Sequence, residues 1–235
     1  MKKIKKTKEP QYDVHMAHEG KFGAAMMGLT ASYLWMHDPK HVLFTLSRYK
    51  FVARLLDGKA RVAEIGCGDA FGTRVVAQGA RRLDGFDFDP VFIENARRVN
   101  RQVPNATFHV HDILRKPLPR VYDAAYALDV LEHIPKRHEK AFMTNIVRSL
   151  APQGVLITGT PNITSQVYAS APSRLGHVNC KSAPELRELF ARYFHNVFVF
   201  SMNDEVVHTG FAPMAHYLFT VGVGKRASGS RPRKT

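Results

Sequence analysis

Apolar residues along the chain follow two periods. Between residues 21 and 57 they recur every three or four positions, which predicts helices. The clearest stripe runs through Val42, Leu46, Tyr49, Ala53 and Leu56. Asp38 and Pro39 precede this stripe as a helix cap and a first helical residue, so we expect a helix to begin there. From residue 61 onward, short apolar runs alternate with helical segments, which predicts an α/β fold.

The alternating region predicts a sheet of seven strands. The strands are expected near residues 61–65, 82–87, 106–110, 122–127, 154–159, 196–202 and 216–223. The helices are expected near residues 72–78, 90–99, 136–150 and 183–194. Because alternation favours parallel pairing, the sheet should be mostly parallel, with helices on both faces. The last two strands follow each other without a helix and therefore predict one antiparallel hairpin at the edge.

Charge and loop length divide the chain further. We expect a flexible basic arm over residues 1–20, a helical cap over 21–57, a main domain over 58–225 and a basic tail over 226–235. Within the main domain, the connection over 161–182 is longer than usual and predicts a lid. Much of the net charge of +14 lies at the two ends, and such like-charge blocks are typical of solvated segments. Weak contact of these ends with nucleic acid or an anionic membrane stays open.

Composition predicts a cytoplasmic location. No apolar run approaches the ~20 residues that span a bilayer. The basic start of the chain is followed by polar residues and not by the apolar segment of an export signal. Two cysteines, Cys67 and Cys180, give neither a disulfide framework nor a metal-ligand spacing.

A glycine loop between a strand and a helix is the strongest chemical signal. Gly66 and Gly68 follow an apolar run that ends in Glu64. Glycine permits positive φ and lets a ligand approach the backbone, and the next helix directs its positive dipole end at that ligand. Roughly twenty residues later Asp87 ends the next strand, a spacing typical of nucleotide sites in which the acid binds ribose hydroxyls. The loop reads Gly-x-Gly-x-Ala, which differs from the Gly-x-Gly-x-x-Gly of NAD sites.

These residues carry a family resemblance. The stretch Glu64-Ile65-Gly66-Cys67-Gly68-Asp69 resembles motif I of class I S-adenosyl-L-methionine (SAM) dependent methyltransferases. Further stretches fit that family in the same order: 85–90, 111–114, 122–135 and 150–157. The last two are similar to the branch that contains ubiquinone-biosynthesis O-methyltransferases and many sugar methyltransferases. The resemblance implies a Rossmann-like sheet with an N-terminal helical cap, SAM as cofactor and S-adenosyl-L-homocysteine as product.

The resemblance also implies a set of cofactor-binding residues. They are Glu64, Gly66, Gly68, Asp87, Phe88, Asp112, Ile113, Leu128 and Asp129. Asp87 would accept the ribose hydroxyls and Asp112 would read the adenine amino group. The residues alone leave a second interpretation open, in which Asp87 caps the helix that begins at Pro90 and Asp112 is a turn residue.

Histidines are the candidate catalytic residues, because a hydroxyl acceptor must lose a proton and histidine titrates near neutral pH. By resemblance His133 faces the acceptor, while His177 and His208 lie in the two long connections. We expect no tight metal site, and a loosely held magnesium ion stays open.

The favoured function is transfer of a methyl group from SAM to an oxygen of a small molecule, with nitrogen less favoured. A sugar, a nucleotide-linked sugar or another biosynthetic intermediate would suit as acceptor. One alternative is an RNA- or protein-directed methyltransferase that uses the basic ends, although Thr160-Pro161-Asn162 is not the motif of enzymes that methylate base amino groups. Another is a SAM-binding partner subunit without catalysis. The oligomeric state, including a homodimer, stays open.

Overall fold

A central eight-stranded sheet organises the computed structural model, which describes residues 7–227. The strands lie in the order β3-β2-β1-β4-β5-β8-β6-β7. Their bounds are β1 Arg61–Ile65, β2 Arg82–Asp87, β3 Ala106–Val110, β4 Tyr122–Leu128, β5 Leu150–Pro161, β6 Phe194–Asn203, β7 Val206–His208 and β8 Tyr217–Lys225. Of the predicted basic ends, residues 1–6 and 228–235 lie outside the described residues.

Strand direction confirms the predicted fold class. The strands β1 to β5 pair in parallel, while β8 runs antiparallel to both β5 and β6. The count of seven strands was one too few, because the three-residue β7 pairs antiparallel with the end of β6. Asp204, at φ 51°, lies in the turn between them. Three residues are too short a run for the period of a strand to be read from the sequence.

Helices cover both faces of this sheet, as predicted. Their bounds are α1 Asp13–Phe22, α2 Leu29–His37, α3 Pro39–Leu55, α4 Thr73–Ala77, α5 Pro90–Val99, α6 Glu139–Arg148, α7 Ala171–Gly176 and α8 Ala183–Ala191. The long connection over 161–182 holds α7 and a 3-10 helix at Ile163–Tyr168. Within residues 7–227, no helix has both the length and the apolar character that crossing a membrane requires.

The amino-terminal region differs from its expectation in one respect. Residues 1–20 were expected to be a flexible arm, but α1 and a preceding 3-10 turn are helical. None of the residues in α1 is buried. Because no residue of this helix packs into the core, its sequence has no apolar stripe from which the helix could be predicted.

Two buried clusters join the helices to opposite faces of the sheet. On one face, α6 and α8 bury Phe142, Ile146 and Phe190. On the other face, Val52 of α3 and the C-cap residue Leu56 are buried against the strands. Because α3 is part of this second cluster, its middle turns are held near the carboxyl ends of the central strands.

Two phenylalanines on β6 offer a matched test of this packing. Phe194 is fully buried and stacks on Phe190, whereas Phe198 on the same strand is 51% exposed. Phe194→Ala should lower the free energy of unfolding by about 3–5 kcal/mol, since it removes a ring and leaves a cavity. Phe198→Ala should change it by roughly 0.5 kcal/mol. Urea unfolding followed by circular dichroism measures both, and equal losses would contradict this assignment of the core.

Candidate active site

The site lies at the carboxyl ends of the parallel strands, where the strand order reverses. The order β3-β2-β1 runs one way from β1, and β4-β5 runs the other way. Open α/β sheets bind ligands in the crevice at such a switch point. The glycine loop after β1 and the acidic ends of β2 and β4 all meet at this edge.

The glycine loop has the backbone geometry that its sequence predicts. Gly66 and Gly68 have φ of +68° and +52°, which side chains rarely adopt. A Cβ on Gly66 would lie 2.5 Å from Cγ2 of Val130, so the loop packs closely against the segment after β4. A Cβ on Gly68 would meet no atom within 4 Å. The backbone of Gly68 therefore faces open space, where a ligand can approach it.

Asp87 ties the end of β2 to this loop. Its carboxylate accepts hydrogen bonds from the backbone N–H of Gly68 at 3.0 Å and of Asp89 at 2.9 Å. The cap of α5 is Asp89, whose side chain accepts from the N–H of Val91 at 2.8 Å. The capping role that the sequence left open for Asp87 thus belongs to Asp89. Phe88, between them, is 74% exposed.

The next two candidates, Asp112 and Ile113, follow β3 and have different surroundings. Asp112 accepts the N–H of Leu114 at 2.9 Å, so it stabilises the turn in which it lies. Ile113 is buried in the core cluster that also contains Phe86. The turn contact matches the alternative interpretation of Asp112, and it occupies one of the two carboxylate oxygens.

Glu64 is buried beneath the loop. It accepts hydrogen bonds from the hydroxyls of Thr73 and of Tyr49, the latter at 2.9 Å. Burial raises the pKa of Glu64 to about 7. Tyr49 comes from α3, so the helical cap and the glycine loop are joined at this acid.

A second carboxylate at the site is also held by α3. Nη1 of Arg48 lies 2.9 Å and 2.8 Å from the two oxygens of Asp129, which has φ +56°. The guanidinium carbon lies 4.0 Å from the ring centroid of Tyr217, within range of a cation–π contact. Leu128, which precedes Asp129, is buried. The sequence did not single out Arg48, because its partner is 81 residues away.

The first turn of α2 also contacts the glycine loop. The N–H of Ala31 donates to the carboxylate of Asp69 at 2.9 Å, and the N–H of Leu29 donates to Asn95 at 3.0 Å. These bonds satisfy two of the free amides at the start of α2. Helix α2 is therefore anchored on the glycine loop, the loop that contains the cofactor motif.

Two of the three candidate catalytic histidines lie side by side. The ring centroids of His133 and His177 are 5.2 Å apart. Burial and the nearby His133 lower the pKa of His177. His208 is on β7, four strands from β4, or about 19 Å at the usual strand spacing. The structure thus separates His208 from the other two.

Glu132 is a member of this group that the sequence did not select. Its side chain is fully buried and accepts a hydrogen bond from the hydroxyl of Thr160 at 3.1 Å. Burial, reinforced by Asp129, raises the pKa of Glu132 well above its usual range. The sequence could have indicated Glu132, because this acid directly precedes His133 in the motif after β4.

Backbone bonds fix the connection over 161–182 against this group. The N–H groups of Val178 and Asn179 donate to the carbonyl of Glu132 at 2.8 Å and 3.0 Å. Beyond them, Lys181 forms a buried ion pair with Glu139. Burial alone would raise the pKa of Glu139, but Lys181 and Asn179 hold it below its usual value. His177 directly precedes Val178, so these bonds hold it next to Glu132.

Comparisons with known proteins agree with this geometry. Residues 62–154 match the model of a family described as a methyltransferase domain. A probable S-adenosylmethionine-dependent methyltransferase of Mycolicibacterium smegmatis is 31% identical over 130 residues, which cover 54% of this chain and 49% of that protein. A ubiquinone biosynthesis O-methyltransferase of Xanthomonas campestris is 27% identical over 137 residues, which cover 57% of this chain and 56% of that protein. The chain spans about half the length of these curated relatives.

A solved structure supports the same fold. The N-methyltransferase NodS of Bradyrhizobium japonicum WM9, in complex with S-adenosyl-L-homocysteine, has a TM-score of 0.64 at 18% identity. The match covers 83% of this chain and 92% of that chain. At this identity the likeness speaks for the fold alone. The motif order, the sheet topology and the matched family model together identify residues 62–154 as a methyltransferase domain of the class I fold.

Proposed function

We propose that this protein is a SAM-dependent methyltransferase that methylates an oxygen of a small molecule. The observation that carries the proposal is the carboxylate of Asp87, held against the bare backbone of Gly68 at the switch point of the sheet. An acid in this position can accept both hydroxyls of a ribose. The residues present therefore fit a nucleoside cofactor.

The cofactor site would use three parts of the crevice. Asp87 would bind the ribose, while the open backbone at Gly68 would let the methionine and ribose portions approach closely. Phe88 is exposed and free to flank the adenine, and Asp112 lies at the next strand end. SAM, when bound, supplies an activated sulfonium methyl, so the chain's own residues need mainly to position and orient the reactants.

The acceptor would enter beside His133 and His177. The ring of His133 is exposed, and the lowered pKa of His177 keeps that ring neutral near pH 7, in the form that can accept a proton. Such groups suit an acceptor hydroxyl, which must lose a proton during transfer. The relatives named above include an O-methyltransferase and an N-methyltransferase, so the preference for oxygen rests on this local chemistry.

Two measurements test the proposal directly. Calorimetry with SAM and with S-adenosyl-L-homocysteine should show one site per chain. A screen of hydroxylated metabolites, including free and nucleotide-linked sugars, should then show release of S-adenosyl-L-homocysteine with an acceptor. Failure to bind either nucleoside would refute the proposal, and methylation of RNA or protein substrates alone would replace its acceptor class.

A matched pair of acids tests the role of Asp87. Asp87→Asn removes the charge that would hold the ribose hydroxyls but keeps an oxygen for the N–H of Gly68. The affinity for SAM should fall at least tenfold, or about 1.4 kcal/mol. Asp89→Asn removes an equal charge from the neighbouring helix cap and should change the affinity less than twofold. Calorimetry measures both, and equal losses would reject a specific role for Asp87.

The buried acid Glu64 makes stability depend on pH. Its pKa rises from an ordinary value of 4.5 to about 7 in the folded chain, so the folded state binds more protons between these values. Its contribution is fully present below pH 4.5, decreases as pH rises toward 7, and is constant above that. Glu64→Gln resembles the protonated form at every pH.

Relative to Glu64→Gln, the native chain should therefore lose unfolding free energy as pH rises from about 5 to about 8. The change expected from the pKa is roughly 3 kcal/mol. Denaturant unfolding of both proteins without cofactor measures this difference and cancels the titration of the other groups. A difference that stays constant with pH would contradict the raised pKa.

A further inference from the structure

We propose that the outer edge of β6 binds an extended peptide segment of a partner protein, in which a large apolar residue stands two positions before an acidic one. This surface, the β6 edge, comprises residues 194–200 and the groove beside them. It lies four strands away from β1 and the glycine loop. The inference therefore does not depend on the proposed methyl transfer.

Most of β6 has a neighbouring strand on one side only. Strand β8 pairs along nearly the whole of β6, whereas β7 pairs with it only from Ser201 to Asn203. After His208 the chain leaves the sheet, and within residues 7–227 no other strand lies beside the rest of this edge. An edge of this kind presents backbone N–H and C=O groups to which another strand can bind.

The hairpin shows which backbone groups face outward. Bonds of an antiparallel strand point alternately to its two sides, and the two-residue turn at 204–205 closes with a bonded pair at Asn203. Every second residue before Asn203 therefore faces the same, outer side. In agreement, the carbonyl of Val197 accepts a hydrogen bond at 3.1 Å from Nη1 of Arg187, which belongs to α8 and not to β8. Val197 and Val199 thus direct their N–H and C=O groups outward.

The sequence of this edge lacks the usual protection against pairing. Residues 194–200 read Phe-His-Asn-Val-Phe-Val-Phe and contain no Lys, Arg, Asp, Glu, Pro or Gly. Natural edge strands commonly carry a charge, a proline or a bulge that prevents the addition of a strand. Short uncharged segments rich in β-branched and aromatic residues favour such pairing. The β6 edge is therefore suited to accept a further strand.

An apolar groove adjoins the edge. It has a volume of about 680 Å³ and lies between β6, the first turns of α8 and the segment after β7. Pro184, Val199, Phe211 and Pro213 contribute to its walls, and Phe211 is 71% exposed. Residues directly opposite each other on paired strands point to the same face of the sheet. The peptide residue opposite Val199 would therefore enter the groove, which favours a large apolar side chain.

Arg187 favours an acid at the second position. Its side chain is exposed and forms no ion pair within residues 7–227, while the adjacent Glu188 is paired with Arg192. The contact with the carbonyl of Val197 places the guanidinium beside the peptide residue opposite Val197. A carboxylate there would exchange that contact for a stronger, charge-assisted bond. On an antiparallel peptide this residue follows the apolar one by two positions.

Charge disfavours a second copy of this chain as the occupant. Residues 194–200 could pair with themselves about a two-fold axis at Val197. That pairing would bring the two Arg187 guanidinium groups together at the axis, in a chain whose net charge is +14. Like charges in contact oppose association, whereas an acidic segment is attracted. The surface therefore fits a partner of acidic character.

A capped seven-residue peptide, Thr-Phe-Thr-Glu-Thr-Val-Thr, is a suitable probe, with Phe opposite Val199 and Glu opposite Val197. Added to the isotope-labelled full chain, it should bind one to one and saturate below about 1 mM. In NMR spectra it should shift the backbone amide signals of residues 195–199. A peptide in which Phe and Glu exchange places has the same composition and should bind at least fivefold more weakly.

Backbone methylation separates strand pairing from unspecific adhesion. The N–H groups of the peptide Phe and Glu should bond to β6, while the N–H of the Thr between them should face away. Methylation of the Glu nitrogen should therefore abolish binding. Methylation of the nitrogen of that Thr should change the affinity less than twofold.

Variants of the chain test the same contacts. Val199→Pro removes an outward N–H that β8 does not use, and Arg187→Glu reverses the charge at the second position. Each should weaken binding of the probe at least tenfold, and a peptide with Lys in place of Glu should regain affinity for Arg187→Glu. Lys140→Glu, which makes the same change of charge at an exposed residue of α6, should bind the probe as the native chain does.

Each outcome decides the question. Absence of saturation at about 1 mM probe overturns the proposal, and so does equal binding of the two methylated peptides. Sedimentation equilibrium should show a monomer, and a dimer that Val199→Pro dissociates would overturn the proposal by assigning the edge to a second copy. Arg187→Glu changes an exposed residue, so it keeps the test valid if Val199→Pro fails to fold. Binding of S-adenosyl-L-homocysteine should be equal in all variants, and its absence refutes only the proposed function.

Discussion

Two carboxylates at the ends of the central strands need partners, and one helix supplies both. Glu64, near the end of β1, accepts from Tyr49, and Asp129, just after β4, is paired with Arg48. An acid taken out of water is costly unless a hydrogen bond or an opposite charge compensates it. The docking of α3 on the sheet therefore contributes to the core and also supplies the hydrogen bonds that compensate these two acids. The glycine loop, Asp87 and the segment that carries Glu132 all depend on that arrangement.

The local features of this site could be predicted from the sequence. Gly66, Gly68 and Asp87 lie at a fixed spacing after short apolar runs, and each requirement is met within a few residues of the chain. The helix at Pro39–Leu55 was equally legible, because its apolar stripe and its proline start are both local signals. The mostly parallel pairing followed from the alternation of strands and helices, and among the strands only the short β7 was missed.

The partners of these residues could not be predicted in the same way. Arg48 and Tyr49 are ordinary helix residues until the fold brings them to acids 81 and 15 positions away. Asp112 shows the opposite case, because its carboxylate forms a local turn bond that sequence spacing alone cannot distinguish from a ligand contact. Glu132 stood in the quoted motif, yet its neighbour His177 depends on how the connection over 161–182 packs back on it. Non-local contacts of this kind produce no periodic pattern in the sequence.

The anchoring of α2 on the glycine loop has an optical consequence. Trp35 lies in α2, is 53% exposed, and is the sole indole in the sequence. The start of that helix is bonded to Asp69 within the loop. The indole emission of this protein therefore originates at one position, and any rearrangement of the loop that moves the helix changes the surroundings of that indole. The fluorescence of Trp35 therefore reports on the conformation of the glycine loop.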